Sequence, residues 1–346
     1  MSARPEKILA LQSKYFGDAV LMTPALRALR EHFPAAEIHL LVPEEIAPLF
    51  QHLPWLTRVW AMPRRRGRAS VRETWPLIRA LRREKFDRTV DFASNDRGAI
   101  LSFLIGARNR LGWAERGGFF GRQFFYNQRV VAEKNMPHES ARLAQLLSGW
   151  QIPLPRSLEP EIRADAALAD AARKILPDER AVICHVASSQ QKKEWPLALW
   201  AEFHRLATAN GRRVVFTTAR GEREAALMAE LKKELEHTGG TPVPLILPEI
   251  AELPLFLAVL ARAGVFISGD TGPLHFAAGL GVPTISLFGP TSPARWAPIG
   301  ERHQILTGGV CRCDGNSTIC TAARHCLAEI SPAQVLAALA KAMPEK

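Results

Sequence analysis

One stretch, residues 265–290, constrains the fold of this chain more than any other. It begins with an apolar run at 265–267 whose length and composition suit a buried parallel strand. The next six residues, Ser-Gly-Asp-Thr-Gly-Pro, cannot continue a strand, but they supply helix-capping side chains and a proline suited to a first helical turn. An apolar helix at 274–280 and a strand at 284–288 follow. The pattern predicts a βαβ unit whose loop offers free backbone N–H groups to an anion such as a phosphate.

The same alternation of strands and helices runs through the rest of the chain. The first half begins with the apolar run 7–11, and the second half begins again with a strand at 181–186. Between them, residues 151–160 contain three prolines and indicate a linker. We therefore predict an α/β protein with two Rossmann-like domains facing a cleft, in residues 1–155 and 156–330. By analogy, a C-terminal helix in 331–346 would pack back on the first domain.

The length and composition agree with this division. A chain of 346 residues suits two domains. No apolar run reaches the roughly 18 residues that span a bilayer, and the first residues lack the apolar core of a signal peptide. Five cysteines in a chain of this length do not indicate a disulfide scaffold. We expect a globular protein that stays in the cytoplasm.

Positive charge is concentrated in the first half. Residues 1–150 hold 24 Lys and Arg against 14 Asp and Glu, a net of +10, whereas the remainder holds 21 against 20, a net of +1. A basic domain favours an acidic partner, which is nucleic acid, an anionic membrane or a phosphorylated substrate. No nucleic-acid-binding motif accompanies the charge, so we predict no nucleic-acid partner. The alternative is that the charges only keep the surface soluble.

Residues 269–298 carry a family resemblance. They begin GDTGPLHFAAGLGVPTISLFGP, end in Trp-x-Pro, and resemble the signature of glycosyltransferase family nine, the ADP-heptose:lipopolysaccharide heptosyltransferases. Residues 86–113 also resemble an acceptor-side segment of that family. The resemblance implies a GT-B fold and an inverting transfer of heptose from ADP-heptose. It further implies a phosphorylated, lipid-linked core oligosaccharide as acceptor and a peripheral position at the anionic, cytoplasmic face of the inner membrane. Within the family, residues 13–16 are closer to the heptosyltransferase III type.

Asp18 is the candidate catalytic residue. It follows Gly17 in the first strand–loop–helix turn, and from the residues alone a helix-capping role is favoured. The resemblance to the family's Gly-Asp motif implies instead that Asp18 is the base that takes a proton from the acceptor hydroxyl.

The resemblance also implies which residues hold the nucleotide sugar. Lys193, in a Lys-x-Trp-Pro segment, would contact the donor phosphate, and either Glu222 or Glu224 would contact the adenosine ribose. The donor motif supplies the remaining residues, Asp270, Thr271, Gly272, Pro273 and His275. For Lys193 the alternative is a surface lysine. From the residues alone, His275 is more typical of a core histidine than of a functional one.

The acceptor-side candidates are basic or polar residues of the first half, namely Lys14, Arg64, Arg65, Arg66, Asn95 and Arg97. The three arginines lie in the densest charge run of the chain. They would contact an anionic acceptor or the membrane surface, and the alternative is a solvated loop.

We predict neither a metal nor a cofactor. No D-x-D triplet occurs in the chain, so no obvious carboxylate pair could hold a divalent metal on the diphosphate. The backbone N–H groups at 271–272 and Lys193 would neutralise the leaving group instead. Four cysteines, Cys311, Cys313, Cys320 and Cys326, lack the paired C-x-x-C spacing of a strong zinc site. Both a zinc site and a loop of reduced thiols stay open for them.

The sequence leaves three alternatives to the heptosyltransferase hypothesis. The chain could transfer another nucleotide-activated sugar, or it could be a nucleotide-binding module without catalysis that serves complex assembly. An NAD-dependent oxidoreductase is disfavoured because the G-x-G-x-x-G fingerprint is absent.

Overall fold

The computed structural model describes residues 4–63, 71–115, 118, 121–133, 136–238, 245–313 and 317–343, with the backbone alone at 71–72. The chain divides into two compact units, Met1–Arg163 and Ala164–Lys346. The sequence had placed this division near residue 155. Arg64, Arg65 and Arg66 lie outside the described residues, so their contacts stay a prediction.

The first unit is built on a parallel sheet flanked by helices. Its described strands are β1 (Lys7–Leu11), β2 (Glu37–Pro43), β3 (Arg58–Met62), β4 (Arg88–Asp91), β5 (Asn109–Trp113) and β6 (Gln128–Val130). Its described helices are α1 (Phe16–Leu21), α2 (Thr23–His32), α3 (Val71–Glu84), α4 (Asp96–Ile105) and α5 (Glu139–Gln145). The strand order is β3-β2-β1-β4-β5-β6, the order of a Rossmann sheet.

Strand β1 lies inside this sheet, paired with β2 and β4. Ile8, Leu9 and Ala10 are fully buried, as an unbroken apolar run predicts for a strand covered on both faces. The helix expected after β1 is divided in two. Pro24 has no N–H to donate to the Val20 carbonyl oxygen, which accepts from Thr23 Oγ1 at 2.7 Å instead. Asp18 therefore lies in a short helix of its own.

The second unit repeats the arrangement. Its described strands are β7 (Val182–His185), β8 (Val214–Thr217), β9 (Leu245–Ile246), β10 (Val265–Gly269), β11 (Thr284–Phe288) and β12 (Gln304–Thr307). Its described helices are α6 (Ala169–Ile175), α7 (Leu197–Ala209), α8 (Glu222–Thr238), α9 (Leu253–Leu260), α10 (Gly272–Gly279), α11 (Pro293–Trp296) and α12 (Pro332–Ala342). The order β12-β11-β10-β7-β8-β9 is the same Rossmann order, counted from β7.

The last helix, α12, is part of the second unit's core. Ser331 caps it in a capping box, in which the Gln334 N–H donates to Ser331 Oγ at 3.3 Å and the Ser331 N–H donates to Gln334 Oε1 at 2.7 Å. Val335 and Leu339 are fully buried in that core. The main contacts of α12 within the second unit are with α7, β11 and β12. The predicted packing of this helix on the first domain stays a prediction.

No helix in the described part of the chain is both long and apolar enough to cross a membrane.

Candidate functional site

Each sheet has a switch point, where successive connections leave in opposite directions and a crevice opens at the carboxyl ends of two strands. In the first unit these strands are β1 and β4, and in the second unit they are β7 and β10. The segments that follow them carry Asp18 and Asn95 in the first unit, and Lys193 and Asp270 in the second. Four of the residues predicted from sequence thus follow the strands that flank these crevices, two in each unit.

Asp18 is the third residue of α1, in the first turn of the helix. The backbone N–H groups of Asp18 itself and of Tyr15, the residue before the helix, act to lower its pKa. Burial raises the pKa of Asp18 above its ordinary value, Lys14 opposes this rise, and the carboxylate of Glu139 adds to it. These surroundings are compatible with a role as a base, because a half-buried carboxylate with a raised pKa accepts a proton more readily.

A buried ion pair lies beside Asp18. Glu139, the first residue of α5, is only 1% exposed. Arg142 donates two hydrogen bonds to its carboxylate, from Nη2 at 2.6 Å and from Nε at 3.1 Å. The Arg142 guanidinium also lies over the Trp113 ring, 5.1 Å from its centroid. Helices α1 and α5 pack against each other. Sequence reasoning missed this pair, since nothing in the pattern of the chain links residue 139 to residue 18.

The loops after β1 and β4 are tied together. Asn95 Oδ1 accepts from the Gly98 N–H at 2.9 Å, which caps α4, and Asn95 Nδ2 donates to Ser13 Oγ at 2.8 Å. Arg97 Nη2 donates to the Pro63 carbonyl oxygen at 3.0 Å, at the start of the segment that holds the predicted arginines. The structure thus brings Asn95 to the loop that contains Lys14. One nitrogen of Arg97 is already used in a hydrogen bond to a backbone carbonyl oxygen.

Asp91, at the end of β4, is a fully buried carboxylate that sequence reasoning did not assign a role. Tyr126 Oη donates to its Oδ2 at 2.5 Å, and the Ala93 N–H donates to its Oδ1 at 2.9 Å. Burial raises the pKa of Asp91 to about 6, although both hydrogen bonds act in the opposite direction. The pair holds the chain near β6 against the loop that carries Asn95.

In the second unit, Lys193 and Asp270 form an ion pair. Lys193 Nζ lies 2.8 Å from Asp270 Oδ2, with both side chains largely buried. His275 Nε2 lies 4.0 Å from the other oxygen of Asp270, and the ring is buried within α10. Three predicted donor residues therefore lie together at the carboxyl end of β10.

Gly269 allows this pair to form. A Cβ atom at this position would lie 2.5 Å from the Lys193 carbonyl oxygen, closer than side-chain atoms approach a backbone oxygen. The 3₁₀ turn Gln191–Lys193 can therefore lie directly on the end of β10. The spacing of the motif in sequence gave no sign of this contact.

The start of α10 has the features of an anion site. Thr271 is its N-cap residue, and the Thr271 side chain makes no capping hydrogen bond to the first N–H groups. Gly272 and Pro273 lie in its first turn. Thr271 Oγ1 is itself buried and has no hydrogen-bond partner among the described residues. Unengaged donors at a helix N-terminus favour a negatively charged group there.

The two acidic candidates of α8 differ. Glu224 is engaged, since its Oε1 lies 3.0 Å from Arg223 Nη2. Arg223 Nη1 also lies 2.9 Å from the buried carboxylate of Glu194, and Arg223 donates to the Ser188 carbonyl oxygen. Glu222 is exposed, and no ion pair is formed by it among the described residues. Of the two candidates, Glu222 is therefore the more accessible to a ligand hydroxyl group such as that of a ribose.

In the described part of the chain, no group of three or more His, Cys, Asp or Glu side chains is arranged to hold a metal ion.

Solved structures share this fold. A glycosyltransferase family 9 protein from Veillonella parvula superimposes with a TM-score of 0.81 at 19% identity, covering 97% of each chain. The heptosyltransferase WaaC of Escherichia coli, solved with ADP, gives a TM-score of 0.75 at 21% identity, covering 97% of this chain and 99% of that one. The predicted fold class is therefore confirmed, and the fold is that of the two-domain GT-B glycosyltransferases.

Sequence relatives agree with the fold. Lipopolysaccharide heptosyltransferase 2 of E. coli is 24% identical over 313 residues, 87% of each chain. Lipopolysaccharide heptosyltransferase 3 of E. coli is 23% identical over 302 residues, 82% of this chain and 84% of that one. The family profile "Glycosyltransferase family 9 (heptosyltransferase)" matches residues 74–317. The chain belongs to glycosyltransferase family 9 and is a glycosyltransferase. Because the two identities are nearly equal, the predicted likeness to the heptosyltransferase III type stays a prediction.

Proposed function

We propose that this protein transfers a heptose from ADP-heptose to the inner core of lipopolysaccharide, with inversion at the anomeric carbon. The observation that carries the proposal is Asp18, a half-buried carboxylate with a raised pKa at the switch point of the first sheet. The names of the family 9 relatives support the sugar and the acceptor, since two of them are lipopolysaccharide heptosyltransferases. One related structure was solved with ADP-2-deoxy-2-fluoro heptose.

The proposed reaction is a single displacement. The Asp18 carboxylate accepts the proton of an acceptor hydroxyl while that oxygen bonds to the anomeric carbon of the heptose. The bond between this carbon and the diphosphate oxygen breaks, and its electron pair leaves with ADP. Glu139 beside Asp18 favours proton uptake because its negative charge raises the pKa of Asp18.

The proposed nucleotide site is the start of α10 with its ion pair. Lys193 would turn from Asp270 toward the diphosphate, and the N–H groups at Thr271 and Gly272 would donate to its oxygens. Asp270 and Glu222 would accept hydrogen bonds from ribose hydroxyls. In this proposal protein groups alone neutralise the leaving group, so no divalent metal takes part.

The proposed acceptor is a phosphorylated, lipid-linked core oligosaccharide. Lys14, Asn95 and the arginines at 64–66 belong to the half of the chain that holds a net charge of +10. Such a charge favours phosphate groups and the anionic surface of the inner membrane, where we propose that the protein binds peripherally on the cytoplasmic side.

The proposal is tested by replacing Asp18 with asparagine. We expect Asp18→Asn to lower kcat by roughly 10²- to 10⁴-fold, the usual contribution of a general base, with ADP affinity unchanged. In the wild type, activity should fall as the pH drops through the pKa of Asp18, which burial raises above its ordinary value. Transfer is measured from ADP-heptose to a heptose-bearing core acceptor, and ADP binding by calorimetry. A chelator should leave the rate unchanged.

Asp165→Asn is the matched control, because Asp165 caps a helical turn through the Ala167 N–H at 2.9 Å but lies in no candidate site. Its turnover should equal that of the wild type. Undiminished turnover of Asp18→Asn would rule out this base. Tight ADP binding by the wild type without transfer to any core acceptor would favour the non-catalytic binding module.

A further inference from the structure

Four of the five cysteines lie between β12 and α12, and two of them are in direct contact. Cys313 Sγ lies 3.4 Å from Cys320 Sγ, and both side chains are partly exposed. Both are free thiols, as are the other three cysteines. A disulfide bond is about 2.05 Å long, so the two sulfurs need to approach by only about 1.4 Å to form one.

The surroundings of Cys313 favour its thiolate. The Thr321 N–H donates to its sulfur, which lowers the pKa of Cys313, and Cys320 contributes to the same effect. Burial instead raises the pKa of Cys184 and raises that of Cys326 to about 11. Since the thiolate is the nucleophile in disulfide exchange, Cys313 is the expected point of attack.

A metal centre is the other use to which neighbouring cysteines are put, and a zinc site needs four ligands directed at one point. Among the residues that the structure describes, no three His, Cys, Asp or Glu side chains have such an arrangement. Cys311 also hydrogen-bonds to Cys313 and to Cys326. The observation that favours a pair of Cys313 with Cys320 is the 3.4 Å contact between their sulfurs.

We propose that Cys313 and Cys320 form a redox pair that is oxidised by low-molecular-weight disulfides such as glutathione disulfide. The Cys313 thiolate attacks one sulfur of glutathione disulfide, whose S–S bond breaks and releases one glutathione thiolate. The Cys320 thiolate then attacks the Cys313 sulfur of the mixed disulfide and releases the second glutathione. The two protons lost by the cysteines are taken up by the two glutathione thiolates, so the protein pair is oxidised and glutathione disulfide is reduced.

The pair is linked to the proposed nucleotide site. The Lys192 N–H donates to the Thr318 carbonyl oxygen at 3.1 Å, and Thr318 lies two residues before Cys320. Lys192 belongs to the turn Gln191–Lys193, whose last residue pairs with Asp270. Drawing Cys320 toward Cys313 pulls on this hydrogen bond and displaces Lys193. We expect the disulfide to weaken ADP binding roughly two- to tenfold, the equivalent of one net hydrogen bond. This consequence rests on the proposed function, whereas the disulfide itself does not.

The test uses the full chain, purified under reducing conditions and equilibrated with mixtures of reduced and oxidised glutathione. Remaining thiols are alkylated and the protein is cut with trypsin, which cleaves after Arg312 and Arg324. The resulting peptide 313–324 holds Cys313 and Cys320 alone, while Cys311, Cys326 and Cys184 fall in other peptides. We expect this peptide to become two hydrogen atoms lighter and resistant to alkylation in oxidising mixtures. ADP binding is measured on the same samples.

Three variants complete the design. Cys313→Ser and Cys320→Ser should each abolish the disulfide and make ADP affinity insensitive to glutathione disulfide. Cys184→Ala, which removes a buried thiol of β7, should leave both effects intact. Full alkylation of peptide 313–324 in every mixture, disulfides to Cys311 or Cys326 instead, or a stoichiometric metal ion bound by the cysteines would each overturn the proposal. A disulfide that forms without any change in ADP affinity would retain the redox pair and refute only its link to the nucleotide site.

Discussion

At the scale of single residues, a buried charged side chain lies at the crevice of each unit. Asp91 and Tyr126 are joined by a hydrogen bond of 2.5 Å inside the first unit, and Lys193 and Asp270 are joined at 2.8 Å in the second. Burial raises the pKa of a carboxyl group, and this shift makes the free energy of unfolding depend on pH. Between the two pKa values the folded state binds a proton that the unfolded chain releases.

Asp91→Asn should therefore make the first unit's stability less dependent on pH. The folded pKa is about 6 against an ordinary value of 3.8, so the stabilisation by protonated Asp91 is complete below about 3.8 and lost as the pH rises through about 6. As the pH rises between these limits, the free energy of unfolding of the wild type should fall by about 3 kcal/mol relative to that of Asp91→Asn. Hydrogen exchange of β1 and β4 at a series of pH values measures this difference.

Tyr126→Phe is the companion variant. It removes a hydrogen bond that lowers the pKa of Asp91, so the loss of stability should extend to higher pH. Parallel pH profiles for the wild type and both variants would show that Asp91 is not the group responsible.

At the scale of secondary-structure elements, the position of Lys193 depends on how closely the turn Gln191–Lys193 packs on β10. This contact requires Gly269, because a side chain there would collide with the Lys193 carbonyl oxygen. A helix or strand can tolerate many surface changes, but two backbone segments in contact tolerate no added atom between them.

Gly269→Ala should displace the turn and weaken ADP binding, with a loss of stability of roughly 1–3 kcal/mol from overpacking. Calorimetric titration with ADP and thermal denaturation measure the two effects. Gly211→Ala is the control, since Gly211 has a φ of +70° but no neighbouring atom within 4 Å. The Gly211→Ala variant should lose roughly 1–2 kcal/mol of stability through backbone strain, and its affinity for ADP should equal that of the wild type. Normal ADP affinity in Gly269→Ala would contradict this role of the turn.

The elements show what could be predicted from the sequence. Apolar runs with turn residues at both ends gave strands and helices close to their observed bounds, as at Thr284–Phe288 and Pro332–Ala342. Strand β5 was not predicted because its Asn-Arg-Leu-Gly-Trp sequence has no apolar run, and β6 has only three residues.

The candidate sites also contain some residues that the sequence could identify and others that it could not. Asp18, Lys193 and Asp270 could be identified because they lie in contiguous motifs next to strands. The pairs Glu139–Arg142, Asp91–Tyr126 and Glu194–Arg223 could not, because their place in the sites depends on which strands and helices the fold brings side by side. Such contacts leave no periodic signal in a single sequence.

At the scale of the whole molecule, the uneven distribution of charge allows the proposed binding to an anionic membrane surface to be tested. Replacing Arg64, Arg65 and Arg66 by serine should weaken binding to anionic phosphatidylglycerol vesicles by about 1 kcal/mol per arginine, and the effect should shrink in high salt. Vesicle sedimentation measures the binding, with neutral phosphatidylcholine vesicles as the reference.

The matched control replaces three exposed lysines of the second unit, Lys174, Lys232 and Lys233, by serine. The loss of charge is the same, but the net charge of residues 1–150 stays at +10. Equal losses from the two triple variants would mean that total charge, and not its position in the first half, governs binding.

The matching strand orders of the two sheets also bear on how proteins of this kind diversify. Each unit has a complete Rossmann sheet and buries apolar residues of its own, such as Leu9 and Leu11 in the first unit and Ile267 and Leu287 in the second. Recombination between family members near residue 163 would therefore exchange a whole unit without cutting through either sheet. If the proposed division of labour holds, such a chimaera would inherit its choice of acceptor from one parent and its choice of nucleotide from the other.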